Sequence, residues 1–329
     1  MAVWFVFLGL LAWRNGPAAG ATCPGSIHLA GHGRMALVAA EWNVPGQRAG
    51  PVEVVTERSG SVVRPGMRGR AYFASSCVDG RYDPHFYAAV PLLGRTLRYT
   101  VDLSGAGCGC NAALYLASLR QSSSESGCHD YYCDANAVCG LRCAEIDLQE
   151  ANMHAWHSTL HVFDDGGGIS AGYGGGDAWN GPREWTREEY GPRSRCIDTE
   201  RPFQVAVSFP VDARGRLRAV AVRLSQPGRP CGLSLAVGAG GYRFGGRDGM
   251  VELSEALRAG MTPVVSYWSS AGMLWLDGQG ADGLGPCRAD RPAACGAVVK
   301  FYGFSVEPAS GGAEKARGSQ GERRLRHSA

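Results

Sequence analysis

Three carboxylates fall within six residues in the stretch Cys143-Ala144-Glu145-Ile146-Asp147-Leu148-Gln149-Glu150-Ala151-Asn152. The stretch reads as a β-strand, in which residues i and i+2 face the same side, so Glu145 and Asp147 share a face. Glu150 falls on the opposite face unless one extra residue is inserted. A β-bulge inserts one and turns Glu150 back toward the other two. A flat strand would hold the outer Cα atoms roughly 17 Å apart, so the carboxyls converge only if the strand curves and the long Glu side chains lean together. The chemistry open to such a cluster is acid–base and nucleophilic work by carboxylates. The plainer reading is a solvated acidic strand face. Against it, the flanks are apolar or small, and three like charges on one concave surface are costly without a use.

The elements around this strand are mostly short, rich in Val, Ala and aromatics, and bounded by Gly and Pro. Strands are expected over Arg34 to Trp42, Val52 to Glu57, Arg68 to Ser75, Thr96 to Leu103 and Ala112 to Leu119. In the fourth of these, Leu97, Tyr99, Val101 and Leu103 should face the core, with Arg98, Thr100 and Asp102 opposite. A Ser-rich loop, Gln121 to Gly127, leads to Tyr131 to Gly140, the acidic strand and Ser158 to Phe163. Gly166 to Gly191 is rich in Gly and carries Tyr173, Trp179, Trp185 and Tyr190. It is either a loop pinned by buried rings or an aromatic loop over a carbohydrate cleft. Phe203 to Pro210 and Leu217 to Leu224 flank a hairpin turn at Asp212-Ala213-Arg214-Gly215. Val251 to Arg258 is the one helix, and Pro263 to Trp268, Met273 to Leu276 and Ala297 to Val306 complete the strands. The pattern is all-β, a sandwich or jelly roll.

The chain has 329 residues, enough for a full core, and sandwiches of this size are commonly single domains. Net charge is +3, with much of the excess in the tail, which gives no support for nucleic-acid binding. Val3 to Trp13 is apolar but short for a membrane span, and Ala19-Gly20-Ala21 suits signal cleavage, so residues 1–21 are expected to be a signal peptide. The expected arrangement is a β-jelly roll domain over residues 22–309 and a disordered basic tail over 310–329 with Arg323, Arg324 and Arg326. The chain is expected to be secreted, soluble and without a membrane span. All twelve cysteines follow residue 21 and are even in number, so disulfides are the default. Cys287 and Cys295 are close enough to staple one loop. Zinc at Cys128, Cys133, Cys139 and Cys143 with His129 is the alternative, but it lacks paired C-x-x-C spacing. No metal or cofactor is expected.

With the acidic strand in place, neighbouring blocks become recognisable, and the chain resembles glycoside hydrolase family 7, the cellobiohydrolases and endoglucanases. That family's catalytic strand reads close to E-x-D-x-W-E-A-N, which stands here as Glu145 to Asn152, and His161 sits where the family carries a His. Asn111-Ala112-Ala113-Leu114-Tyr115 resembles its N-G-A-L-Y strand, and Tyr132-Cys133-Asp134-Ala135-Asn136 its Y-C-D-x-Q segment. Val265-Ser266-Tyr267-Trp268 and Met273-Leu274-Trp275-Leu276-Asp277 resemble its S-L-W and M-L-W-L-D strands. The similarity runs from about Arg68 to Val306. The spacing E-x-D-x-x-E alone is weak, since family 16 shares it.

The resemblance implies a curved β-jelly roll with a concave substrate cleft and retaining hydrolysis of β-1,4-glucan. It makes Glu145 the nucleophile, Glu150 the acid/base and Asp147 the hydrogen-bond partner of Glu145, with Glu150 holding its proton more tightly than Glu145. It places Asn111, Tyr115, Tyr132, Asp134, Asn136 and His161 near the cleaved bond, and Trp268 and Trp275 under sugars. On their own, these rings read as core and His161 as structural. Departures from the family pattern are Gln149 for Trp, Arg142 for Cys, Asn136 for Gln, Val44 where a Trp is expected two residues after Trp42, and Leu284 for Arg. The Trp42 to Arg68 segment is short, which implies missing roof loops, an open cleft and internal cleavage. The expected function is thus a secreted, monomeric endo-acting β-glucan hydrolase whose partner is the polysaccharide. Its rivals are a β-1,3 or mixed-linkage glucanase of the family 16 kind and a non-catalytic glucan-binding protein.

Overall fold

The computed structural model describes residues 22–176, 184–279 and 285–309. The signal-peptide and tail expectations, Trp179 and Leu284 lie outside the described residues. Fifteen strands form two facing sheets. In chain order they are β1 (Gly25–Leu29), β2 (Gly33–Ala39), β3 (Val52–Glu57), β4 (Gly60–Pro65), β5 (Gly69–Ala74), β6 (Arg95–Asp102), β7 (Cys110–Ala117), β8 (Glu145–Ala151), β9 (Trp156–His161), β10 (Ile169–Tyr173), β11 (Phe203–Ser208), β12 (Val220–Ser225), β13 (Leu233–Val237), β14 (Thr262–Ser269) and β15 (Lys300–Pro308). One sheet runs β1-β2-β5-β14-β7-β8-β9-β10 and the other β13-β12-β11-β6-β15-β4-β3, and every pairing within them is antiparallel. The all-β sandwich expected from the sequence is the fold observed.

Period-2 patterning explains why β6 sits where it does. Leu97, Tyr99 and Val101 enter the core, while Arg98 is exposed. Strand β7 shows no such alternation in burial because both its faces are covered. Ala112, Leu114 and Leu116 point between the sheets. Ala113, Tyr115 and Ala117 join a second apolar cluster with Tyr72, Tyr132 and Cys133 on the concave side. Strands β1, β4, β10 and β13, not anticipated from the sequence, are short and lie at or next to sheet edges, where fewer neighbours impose a pattern.

The expected helix is α1 (Gly249–Ala259). Asp248 caps it by accepting from the N–H groups of Met250 and Val251, and it buries Met250, Leu253, Ser254 and Leu257 along one stripe. The β11–β12 connection turns at Asp212, whose carboxylate accepts from Arg214 and Arg216 N–H, with Gly215 at positive φ.

Two expectations are corrected and one open alternative is decided. Met273 to Leu276 is not a strand: Leu274–Asp277 is a single helical turn, α2, with Asp277 Oδ2 accepting from Gly109 N–H and Asn152 Nδ2. Cys287 and Cys295 do not staple one loop. They bond Cys108 and Cys110, tying the segment before β15 to the start of β7 across separations of 179 and 185 residues. In the aromatic Gly-rich stretch, Tyr173, Trp185 and Tyr190 are buried, packing with Trp156 and Phe203, so these rings pin the chain rather than face a sugar. The remaining cysteines pair as Cys23–Cys77, Cys128–Cys139, Cys133–Cys143 and Cys196–Cys231. Bonded thiols are no zinc ligands, which removes the alternative at Cys128 to Cys143.

Candidate active site

The acidic residues lie on β8, an inner strand of the concave sheet between β7 and β9. The pairing of β8 with β9 runs Glu145 with His161 and Asp147 with Thr159, then jumps to Glu150 with His157. Against β7 it runs Asp147 with Tyr115, then Gln149 with Leu114. Leu148 is therefore an extra residue, the bulge that the spacing required. It restores Glu150 to the face of Glu145 and Asp147, and all three line one hollow. Gln149 points the other way. It is fully buried between the sheets, where its Oε1 accepts from the Tyr99 hydroxyl and its Nε2 donates to the Ala112 carbonyl. The departure from the family's Trp is thus a change in the core and leaves the cleft face untouched.

Each carboxylate has a defined partner. Glu145 Oε2 accepts from the Ala135 N–H at 2.9 Å. Glu150 Oε1 accepts from Asn111 Nδ2 at 2.9 Å. Asp147 Oδ2 lies 3.1 Å from His161 Nε2. The other imidazole nitrogen, Nδ1, lies 2.8 Å from the Asp165 carbonyl oxygen. A carbonyl only accepts, so Nδ1 carries a proton. The Ala135 donor is presented by a loop that the Cys128–Cys139 and Cys133–Cys143 bonds hold against the concave face.

Burial raises the proton affinity of the cluster. It pushes Glu150 up to about 8, helped by the charge of Asp147 and opposed by the Asn111 hydrogen bond and His161. It holds Glu145 well above the usual carboxylate range, with Asp147 and Asp134 adding to the effect and the Ala135 N–H opposing it. Asp134 is raised by burial too, against the pull of the Val138 N–H. His161 loses basicity by burial, but its contacts with Asp147, the Asp165 carbonyl and Glu150 more than restore it. Both glutamates are thus driven toward the protonated form, whereas the sequence singled out Glu150.

The remaining expected residues gather around this cluster. Two adjoining hollows, of about 280 and 530 Å³, share Glu145, Asp147, Glu150, Asn136 and Trp268. The first adds Tyr115, Tyr132 and Asp134, with the Tyr115 and Tyr132 hydroxyls 2.9 Å apart. The second adds His161 and Trp275. Asn111 reaches the site through Glu150. Trp268 and Trp275 are half-buried, so neither is the fully enclosed core ring that a Trp in such a segment suggests by itself. Arg70, Ser266 and Thr159 also line the hollows and were not singled out from the sequence. Arg70 had a signal: it is a lone Arg two residues before Tyr72 in an otherwise apolar strand. It is buried, donates to Tyr72 Oη and to the carbonyls of Trp42 and Asn43, and stacks on the Tyr132 ring.

Donor atoms of Glu145, Asp147 and His161 lie within 4.8 Å of one another. The His161–Asp147 hydrogen bond already occupies two of them, and the group is read as an acid–base cluster. The other close set among the described residues is Asp277 with Cys108 and Cys287, whose sulfurs are bonded to each other.

No family model matches the chain. It is 30% identical over 259 residues to Endoglucanase 1 of Pyricularia oryzae, an alignment covering 63% of this chain and 60% of that protein. It is 29% identical over 240 residues to a probable endo-beta-1,4-glucanase, celB, of Neosartorya fischeri, covering 61% and 58%. The chain thus spans about 60% of the length of the curated relatives it matches. Among solved structures it resembles endoglucanase I in complex with cellobiose (TM-score 0.62, 18% identity, 88% of this chain and 97% of that one). It also resembles a GH7 family cellobiohydrolase from Daphnia pulex (TM-score 0.59, 18% identity, 89% and 98%).

Proposed function

We propose that this chain belongs to glycoside hydrolase family 7 and is a retaining, endo-acting β-1,4-glucan hydrolase, a reading supported by its fold and its sequence similarity to endoglucanases. The observation that carries the reading is the bulged β8 strand, which turns Glu145, Asp147 and Glu150 into one cleft with Asn111 and His161 as partners. In this reading Glu145 attacks the anomeric carbon and Glu150 protonates the departing oxygen. One feature supports the acid role: Glu150 binds a proton up to about 8, so it is a competent acid at neutral pH. Each glutamate accepts one N–H, Glu145 from Ala135 and Glu150 from Asn111, so the nucleophile role of Glu145 is carried by the resemblance of Glu145 to Asn152 to the family's catalytic strand. Once the glycosyl-enzyme forms, the negative charge on Glu145 is gone, Glu150 ionises more readily, and it can take a proton from water. Asp147, held by His161, stays beside Glu145 and tunes its charge.

Internal cleavage is supported by the short Trp42 to Arg68 segment. Apart from the Trp42–Val44 and Gln47–Arg48 hairpin, it is spent on β3 and β4 of the far sheet and adds no roof over the cleft there. The test is digestion of carboxymethyl cellulose with purified protein. A fast fall in viscosity, mixed oligosaccharides early, and β-configured first products by NMR are expected. Cellobiose as nearly the sole early product would overturn the endo assignment, and lichenan cleaved in preference would favour the mixed-linkage rival. The six disulfides support folding in an oxidising, extracellular space, and a monomer acting on a polysaccharide is the simplest assembly.

Trp275 supplies a second prediction. It stands at the rim of the larger hollow, with one side of its ring against the small cluster of Ala155, Met273 and Leu276. As a sugar platform it contributes about 0.5–1.5 kcal/mol of stacking. Trp275→Ala should lower kcat/KM on long glucans roughly 2- to 13-fold, with Tm little changed. An early-melting variant with unchanged kinetics per folded molecule would make the ring structural.

A further inference from the structure

We propose that Tyr242 and Asp165 are positioning residues that hold the His161 ring in the orientation in which both its nitrogens donate, Nδ1–H to the Asp165 carbonyl and Nε2–H to Asp147. His161 ends β9, and the chain turns immediately after it. Asp165 organises that turn: its N–H donates to the Val162 carbonyl, and its Oδ1 accepts from the N–H groups of Gly167 and Gly168 at 3.1 and 2.9 Å. The turn folds back until the Asp165 carbonyl receives the His161 Nδ1 proton at 2.8 Å. Tyr242 locks the turn from outside, 77 residues further along the chain. Its hydroxyl donates to Asp165 Oδ2 at 2.5 Å and accepts from the Val162 N–H at 3.2 Å, so one oxygen binds both ends of the turn. All three side chains are at most 8% exposed, so little water reaches these bonds.

Gly168 provides an independent sign that the turn is fitted to the ring. Its φ is +57°, and a Cβ there would lie 2.6 Å from His161 Nδ1 and 2.6 Å from the Leu160 carbonyl oxygen. The backbone approaches the imidazole edge so closely that only hydrogen fits. The consequence is second-sphere control of a histidine: the Nδ1–H···O=C bond leaves Nε2 as the atom facing Asp147. The charged groups around the ring are Asp147, Glu145 and Glu150 from β8 and Asp165 from its own turn. The β10 strand, Ile-Ser-Ala-Gly-Tyr, brings only Tyr173, at its far end beside Trp156.

The kinetic part of the test rests on the hydrolase reading; the titration part does not. In the full-length protein labelled with ¹⁵N-histidine, the His161 resonances are assigned with His161→Gln, and the protonation of each ring nitrogen and the pKa are followed by NMR. Tyr242→Phe should lower the His161 pKa by about 0.4–1 unit, the size of one weakened hydrogen bond. It should lower kcat about 2- to 13-fold with KM within about twofold, and move the pH–rate profile. Gly168→Ala, which pushes on the ring without touching Tyr242, should do the same and carries the test if Tyr242→Phe does not fold. Phe304→Leu, a core change in the other sheet, should lower Tm and leave the His161 titration in place. An unmoved titration in the Tyr242 and Gly168 variants, or an equal shift in the Phe304 variant, overturns the proposal. A shifted titration in a protein that cleaves no glucan overturns the hydrolase reading and upholds this one.

Discussion

Glu145→Gln is expected to abolish turnover, by about 10⁴-fold or more, the scale reached when a nucleophile working as part of a unit is removed. The same substitution should make the protein more stable, and this pairing of effects is what separates a catalytic carboxylate from a structural one. Glu145 is buried among Asp147, Asp134 and Glu150, and its folded-state proton affinity is well above its ordinary value. Between the unfolded pKa of about 4.3 and that raised value, the folded state binds more protons than the unfolded state. Stability attributable to this group therefore falls as pH rises through that window. Gln keeps the oxygen that accepts the Ala135 N–H and carries no charge, so it escapes the loss. Thermal unfolding should show equal Tm for the two proteins near pH 4 and a higher Tm for the variant at pH 7. An inactive variant that is less stable at pH 7 would point to Glu145 as a structural anchor, and full activity would remove β8 from the chemistry.

Glu150→Gln should act differently, because acid assistance is needed only for poor leaving groups. Cellulose hydrolysis should fall about 10²–10⁴-fold. An aryl glycoside with a dinitrophenolate leaving group needs no proton, so the glycosyl-enzyme should still form and accumulate. Its breakdown lacks a base, and azide should rescue it as a β-glycosyl azide of retained configuration. An azide product of inverted configuration would reverse the two roles or show an inverting enzyme. The wild-type pH profile belongs to the same argument. With Glu150 as the proposed general acid, its acid form is lost as pH rises through about 8, so kcat/KM on cellulose should decline on the alkaline side there. The decline should vanish when the dinitrophenyl substrate is used, since protonation of the leaving group no longer matters.

Much of the site was legible because strand parity is a local property. The E-x-D-x-x-E spacing cannot put three carboxylates on one face without one extra residue, and Leu148 is that residue. The same parity assigned Leu97, Tyr99 and Val101 to the core. It was of no help at β7, where disulfide-tied loop residues cover the concave face and bury both sides of the strand. The Met273 to Leu276 segment was misassigned for a related reason. Four apolar residues satisfy a strand or one helical turn equally well. Here Asp277, held by Gly109 and Asn152 from elsewhere in the fold, settles the choice.

By itself the sequence determined what short-range periodicity and residue type can carry: two layers of β-strands, one helix, an even set of twelve cysteines suited to disulfides, and a strand whose three carboxylates need a bulge to share a face. Tertiary structure alone decided which cysteines pair. Cys287 reaches Cys108 and Cys295 reaches Cys110 across more than half the chain, a closure that nearness in sequence cannot anticipate. It alone turned Gln149 inward to Tyr99, lifted the proton affinity of both glutamates, and set Tyr242 behind the turn that carries His161. The physical reason is common to all of these. Burial, desolvation and hydrogen bonding depend on which atoms surround a group, and most of those atoms come from strands and loops tens to hundreds of residues away.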